Sequence, residues 1–244
     1  MEKNKNCKNA LILAAGLGTR LAPLTDDRPK SLVAVNGVPI LIKQLENLFE
    51  NQILDITIVS GYLSDVLEKT VHASFPTVRI VESADYATTN NMYSAYLGMK
   101  AMFPKEIGSF YMMNADVFFD SSIITALKKD ERYNLIVTDY DRYMEESMKV
   151  KEKDGRIIAI SKQISPEEAL GCSIDVYKFG EDGARAFYNK CVEYIDIRKE
   201  LKKWSEVALN DALAEIVFQA CPVNGRWLEI DDHTDLEAAE RLFA

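Results

Sequence analysis

Histidine is almost missing from this chain: His72 and His233 are the only two in 244 residues. Both read as surface residues, so imidazole catalysis has little to draw on. Four cysteines, Cys7, Cys172, Cys191 and Cys221, stand far apart with no CxxC pair. That spacing excludes a zinc ribbon or a disulfide framework and predicts reduced thiols in a cytoplasmic protein. No apolar run approaches the ~20 residues of a membrane span. Lys3, Lys5 and Lys8 precede the first apolar run as in a secretory leader, but that run is too short and empties into a Gly-Arg loop. Positive charge is also short, with 38 acidic side chains against 29 basic ones and a net charge of −9. Nucleic acid and anionic membrane are poor partners for such a surface. An anionic small molecule must instead be met by a few local cations. Internal repeats, low-complexity tracts and linkers are absent too, so a single domain over 1–244 is expected.

What is present is concentrated near the start, in ALILAAGLGTRLAPLTDDRPKSLVAV, residues 10–35. A short β-prone run, 10–13, opens into a loop with Gly16 and Gly18, followed by Arg20 and by Lys30 behind Pro29. A strand that empties into a glycine loop brings backbone N–H groups up to a phosphate chain. Leu13, Ala14, Ala15, Gly16, Gly18 and Thr19 are the backbone candidates, Arg20 offers a planar fork, and Lys30 a mobile point charge. The letters fit neither GxxxxGK[ST] nor GxGxxG, because the third glycine is missing.

Further along, Asn36-Gly37 makes a turn, and Ile40, Leu41, Leu45, Leu48 and Phe49 recur at helical spacing after Pro39. A β-branched strand at 53–60 ends at Gly61-Tyr62, a helix follows around 65–72, and a strand at 78–81. Strands alternating with helices predict an α/β, Rossmann-like, mainly parallel sheet flanked by helices. Ligands of such sheets bind at the carboxyl ends of strands, where Gly16, Gly61 and residues 82–91 fall. Asn90 and Asn91 precede a helix whose inner face carries Met92, Ala95, Tyr96 and Met99; one asparagine serves as an N-cap, or a carboxamide reads the ligand. A buried strand at 109–115 delivers Ala115 and then Asp116 to the cleft, and Asp120 caps the next helix.

A strand at 135–138 is followed by alternation around Asp154-Gly155, which predicts a hairpin over 148–160 and a small acceptor-side subregion. Lys149 and Lys162 lie on or beside it, either as solvated edge residues or facing the ligand. A strand at 171–179 contains Asp175. Helices are expected over 182–195 and 199–218, the second with Trp204, Val207, Ala208 and Leu213 as a buried stripe. The strand 227–230 ends at Asp231, with Asp232 as its rival for any role there. Thr234 and Glu237 form a capping box for the last helix.

The stretch from Leu11 to Pro39 resembles the glycine-rich signature of nucleotidyltransferases that make nucleoside-diphospho-sugars and CDP-alcohols. NNMYS at 90–94 resembles the NNxYS element of the phosphocholine cytidylyltransferases, a group that also handles phosphonates, and the Gly-Thr-Ala element of the sugar enzymes is absent. The resemblance implies CTP and a small phosphorylated or phosphonate acceptor as partners of a monomer or homodimer. The nucleotide-binding part would span about 1–140, the acceptor side about 141–225, and a returning strand and helix 226–244. It further implies Mg²⁺ on Asp116 and Asp231, Lys30 and Arg20 as catalytic cations, and Gly61, Tyr62, Asn90 and Ala115 near the base and ribose. Lys149 or Lys162 would meet the acceptor's phosphate. Where phosphocholine enzymes carry Glu-Trp this chain reads Glu146-Ser147, and losing that ring weakens the case for choline. A primary ammonium wants carboxylates and hydrogen-bond acceptors instead; Glu146, Asp175 and Asp211 are the candidates, with Asn91 a further acceptor-side residue. A sugar-1-phosphate nucleotidyltransferase and a non-catalytic nucleotide-binding relative are the alternatives.

Overall fold

The computed structural model describes residues 7–244; Lys3 and Lys5 of the leader-like start lie outside the described residues. In chain order the elements are β1 (Asn9–Ala14), β2 (Ala34–Val35), β3 (Val38–Pro39), α1 (Ile40–Glu50), β4 (Asp55–Ser60), α2 (Ser64–Ser74), β5 (Arg79–Glu82) and α3 (Asn91–Met102). There follow β6 (Phe110–Asn114), β7 (Val117–Phe119), α4 (Ser121–Lys129), β8 (Leu135–Asp139), β9 (Lys149–Lys153), β10 (Arg156–Ser161) and β11 (Gly171–Phe179). The chain closes with α5 (Glu181–Val192), α6 (Ser205–Ala212), β12 (Gln219–Pro222), β13 (Trp227–Glu229) and α7 (His233–Leu242).

The main sheet has nine strands, in the order β10-β9-β11-β6-β1-β4-β5, with β8 and β12 continuing from β11. From β6 to β5 all pairs are parallel. The central strand β1 is apolar on both faces, as a strand covered by helices on both sides must be. Its Ile12 and Ala14 pack toward Leu41, Leu45 and Leu48 of α1, whereas Leu11 and Leu13 pack toward Met92, Tyr96 and Met99 of α3. The chain runs from β1 outward to β4 and β5 and then returns to the other side of β1 as β6. That reversal opens a crevice at the carboxyl ends of β1 and β6, the usual ligand position in such sheets.

A second, two-stranded sheet decides the site. β13 pairs antiparallel with β7, placing Glu229 opposite Val117. The end of the chain is thereby laid against the residue that follows Asp116.

Three expectations need correction. The helix predicted over 199–218 is only α6, Ser205–Ala212; Lys199 takes a left-handed φ of 57°, residues 199–204 form an irregular turn, and Gln219 already pairs with Leu135. Asp120 occupies the N-cap position of α4, but its carboxylate holds Arg226 rather than the helix N–H groups. The capping box of α7 is Asp232 with Asp235, not Thr234 with Glu237.

Candidate active site

The loop after β1 carries two cations into the crevice. Gly18 has a left-handed φ of 64° at the start of a short 3-10 turn, and a Cβ placed there would lie 2.6 Å from Cβ of Lys30. Only glycine allows both that backbone and that approach. Lys30 Nζ then donates to Asp116 Oδ2 at 2.9 Å and to Asp231 Oδ1 at 2.6 Å. Arg20 Nη2 lies 2.8 Å from the other oxygen of Asp231. Burial disfavours the Lys30 ammonium, but Asp116 and Asp231 outweigh it and hold its pKa above the usual lysine value. Asp231 is opposed by burial in the same way, yet Lys30 and Arg20 hold it below the ordinary carboxylate range.

Asp116 sits in the turn between β6 and β7, and this turn is fixed from beneath. The buried Gln44 of α1 donates its amide to the carbonyls of Asn114 and Val117, on either side of Asp116. The Ile230 N–H donates to the Asp116 carbonyl at 2.9 Å. Glu229 joins the cluster, so that oxygens of Asp116, Glu229 and Asp231 all lie within 4.8 Å of one another. Burial, then the charges of Asp116, Asp175 and Asp231, push the Glu229 carboxyl up to about 9. Asp116 Oδ1 is buried with no hydrogen-bond partner. Three convergent carboxylates with one idle buried oxygen fit a hard divalent cation. Asp232 is not part of this set: its carboxylate accepts from the Thr234 and Asp235 N–H groups.

Within electrostatic range of Asp116 and Glu229 lies a pair of acids without a cation. Asp175 takes a left-handed φ of 57° inside β11, where the pairing with β8 slips between Ser173 and Tyr177. Its carboxylate accepts from Tyr177 Oη at 2.8 Å and Asn114 Nδ2 at 2.9 Å. The same Tyr177 hydroxyl lies 3.2 Å from Glu206 Oε1 on α6, and Ser205 Oγ donates to that oxygen too. Burial first, and then mutual repulsion, raises the Asp175 carboxyl; burial raises Glu206 as well. No lysine or arginine forms an ion pair with either acid among the described residues.

Arg20 and the carboxylates of Asp116, Glu229, Asp231, Asp175 and Glu206 line one cavity of about 350 Å³. Of the residues expected there, Leu13, Ala15, Gly16, Arg20, Asn90, Asn91, Asp116, Glu146, Lys162, Asp175 and Asp231 line it. Asn90 caps α3 through its side chain, and Asn91 Oδ1 accepts from the Ser205 N–H, tying α3 to α6. Ala14, Gly18, Thr19, Lys30 and Ala115 do not line it: Ala14 and Ala115 are buried, Thr19 is exposed, and Lys30 is held by Asp116 and Asp231, which do line it. Gly61 does not line it either; a Cβ there would collide with Tyr86 and the Ala15 carbonyl. Tyr86 takes the place in the wall expected of Tyr62. Two acceptor-side expectations are overturned. Lys149 is fully buried, and its ammonium is held by the carbonyls of Glu145 and Met144 under the Tyr143 ring, away from the cavity. Asp211 accepts from Tyr194 Oη at 2.8 Å and does not line the cavity.

Sequence reasoning missed Glu229, Glu206 and Trp204, all in the cavity wall. Glu229 had a signal, because it shares a strand face with Asp231 two residues on. Trp204 was expected in the core but is 45% exposed, with Lys162 Nζ 5.0 Å from its ring centroid. Arg20 and Lys162, three convergent carboxylates and a further acid pair with no ion-pair partner among the described residues share one cavity and suit a ligand that carries both phosphate and positive charge.

Known proteins resemble this chain in sequence and in fold. Choline-phosphate cytidylyltransferase from Streptococcus pneumoniae is 34% identical over 160 residues, covering 62% of this chain and 67% of that protein. The 2-aminoethylphosphonate cytidylyltransferase from Lancefieldella rimae is 29% identical over 240 residues, covering 96% and 93%. The solved structure of CTP:phosphocholine cytidylyltransferase from Streptococcus pneumoniae superimposes with a TM-score of 0.80 at 25% identity, covering 97% of this chain and 99% of that one. The nucleotidyl transferase family model matches residues 9–169, and the chain belongs to that family.

Proposed function

We propose that this protein transfers CMP from CTP to a small amine-bearing phosphonate or phosphate, with release of pyrophosphate. The acceptor class comprises 2-aminoethylphosphonate, phosphoethanolamine and phosphocholine. One observation carries the reading: a single cleft is lined by Arg20 and by the cation-free pair Asp175–Glu206, with Lys30 held by the Asp116 and Asp231 carboxylates of its wall. An uncompensated acid pair is costly, and an ammonium group on the acceptor supplies the missing charge. CTP as donor is supported by the relatives rather than by the geometry.

An acceptor oxygen attacks the α-phosphorus; the new P–O bond forms as the bond to the β-phosphate oxygen breaks, and pyrophosphate leaves with the electron pair. A phosphonate or phosphate oxygen is already anionic near neutrality, so no general base is needed and the protein supplies position and charge. Lys30 steadies charge on the α-phosphoryl group, Arg20 grips the leaving pyrophosphate, and the loop at Leu13–Gly16 turns N–H groups toward the nucleotide. Asp116, Glu229 and Asp231 would hold Mg²⁺, which neutralises phosphate charge when bound. Ser147 does line the cleft, but Trp204 brings an indole to the same cavity. The missing ring at position 147 therefore no longer counts against phosphocholine. Four buried free thiols suit a reducing cytoplasm.

Pyrophosphate release with Mg²⁺, measured for four nucleoside triphosphates against aminoethylphosphonate, phosphoethanolamine, phosphocholine and glucose 1-phosphate, tests the reading. Activity confined to CTP with an amine acceptor is expected. Turnover of glucose 1-phosphate alone would replace the acceptor class, and silence throughout would sink the activity.

A further inference from the structure

Lys162 and Trp204 form a pair that the chemistry above leaves unexplained. Lys162 stands just beyond β10, and its ammonium lies 5.0 Å from the centroid of the Trp204 ring, within the reach of a cation–π contact. Among the described residues it has no carboxylate within ion-pair distance, although the chain is acidic overall. Trp204 is the last residue before α6 and is 45% exposed, which is unusual for the largest apolar side chain unless its face has a task. Both residues line the cleft, and both also line a second cavity of about 190 Å³ behind it, which shares Met148 and Glu206 with the cleft. The lysine therefore has open space on two sides and can swing without moving the backbone.

We propose that Trp204 is a positioning residue that parks the Lys162 ammonium at the cleft edge until the acceptor's phosphonate or phosphate group draws it off the ring. This rests on the acceptor class proposed above. An exposed cation–π contact is weak, whereas a charge-assisted bond to a phosphonate oxygen is considerably stronger, so the transfer runs in the right direction. Without the ring, the ammonium is released to solvent and the four-carbon stem must be ordered again each time an acceptor binds. Leaving the ring also uncovers an indole face next to Asp175 and Glu206, on the side where the acceptor's ammonium is expected.

The test uses the fact that the chain has only two tryptophans. Trp227 is buried and fixed by a bond from its indole N–H to Asp139. Titration of the CTP-loaded protein with 2-aminoethylphosphonate is expected to change tryptophan emission, and the change is expected to vanish in Trp204→Phe. Kinetically, Trp204→Leu should raise the acceptor KM about three- to tenfold with the CTP KM unchanged, and Trp204→Phe, which keeps a ring face, should restore most of it. Lys162→Met should abolish the emission change. Normal turnover with no emission change, with a change that survives in Trp204→Phe, or with equal KM values for Trp204→Leu and wild type, overturns this proposal and leaves the proposed function standing. Absence of turnover with every amine acceptor removes the acceptor class, and this proposal with it.

Discussion

Lys30 Nζ and Asp231 Oδ1 lie 2.6 Å apart although 201 residues separate them in the chain. The contact joins the loop after the first strand to the segment after the last one. It exists because β13 pairs with β7 and so carries Asp231 to Asp116. The lysine is thereby held charged between two carboxylates that themselves line the cleft.

Replacing Lys30 by Met tests that arrangement. A preorganised cation at the reacting phosphoryl group contributes about 10²–10³-fold in kcat, and a loss of that order is expected. Asp116 and Asp231 would then face each other without their shared donor, at a cost of about 1–3 kcal/mol in stability. Steady-state kinetics with circular dichroism at a temperature below the melting transition separates the two effects. Near-normal turnover would take Lys30 out of the mechanism.

Gly16 and Gly18 predict different failures. A Cβ at Gly16 meets nothing within 4 Å of protein, so Gly16→Ala should leave the fold alone and, on the proposed seating of the CTP phosphates against this loop, raise the KM for CTP. A Cβ at Gly18 meets the Lys30 side chain at 2.6 Å in a left-handed backbone, so Gly18→Ala should lower kcat through Lys30 as well as stability. Matching kinetic profiles for the two variants would contradict this division.

Much of this was legible in the sequence because local chemistry and global fold agree there. The run ending at Ala14, the paired glycines and the positions of Asp116 and Asp231 after strands announce a cleft at one sheet edge. What stayed hidden depends on pairings far apart in sequence. Glu206 reads as one more surface acid until α6 is seen to begin at Ser205 and to dock on β11 and α3 through Tyr177 and Asn91. Lys149 reads as a ligand-facing cation, yet the loop over residues 143–147 folds back and claims its ammonium. Trp204 at helical spacing looks like core, but it precedes the helix and escapes its buried stripe.

Asp231 and Asp232 are adjacent acids with separate duties. Asp232→Ala removes the side-chain cap of α7 but leaves Asp235 accepting from the backbone N–H groups of residues 231 and 232, which should cost about 1 kcal/mol of stability while turnover stays near wild type. Asp231→Asn weakens the grip on both Lys30 and Arg20, and should lower kcat strongly. Thermal melts and initial rates on the two variants would show the crossed pattern. A kinetic defect in Asp232→Ala matching that of Asp231→Asn would place both acids in the cleft.

The Asp175–Glu206 pair contributes to the site's pH dependence alongside Glu229, which is raised by the same burial and crowding of charge. Both carboxyls are held above their ordinary range, by burial first, so between the ordinary carboxylate values and the raised ones the folded protein binds more protons than the unfolded chain. Stability from this pair is therefore greatest at acid pH and declines as the pH rises toward neutrality. An acceptor ammonium favours the ionised pair, so its binding must expel protons, and its affinity must rise with pH over the same interval. Asp175→Asn should flatten the pH dependence of the KM for 2-aminoethylphosphonate and make the protein relatively more stable than wild type above neutrality. It should leave the KM for ethylphosphonate, which lacks the amine, nearly unchanged. Calorimetry in two buffers of different ionisation enthalpy reads the protons directly. Acceptor binding that releases none, or an Asp175→Asn variant that discriminates against ethylphosphonate as strongly as wild type, would show that the pair does not receive the ammonium.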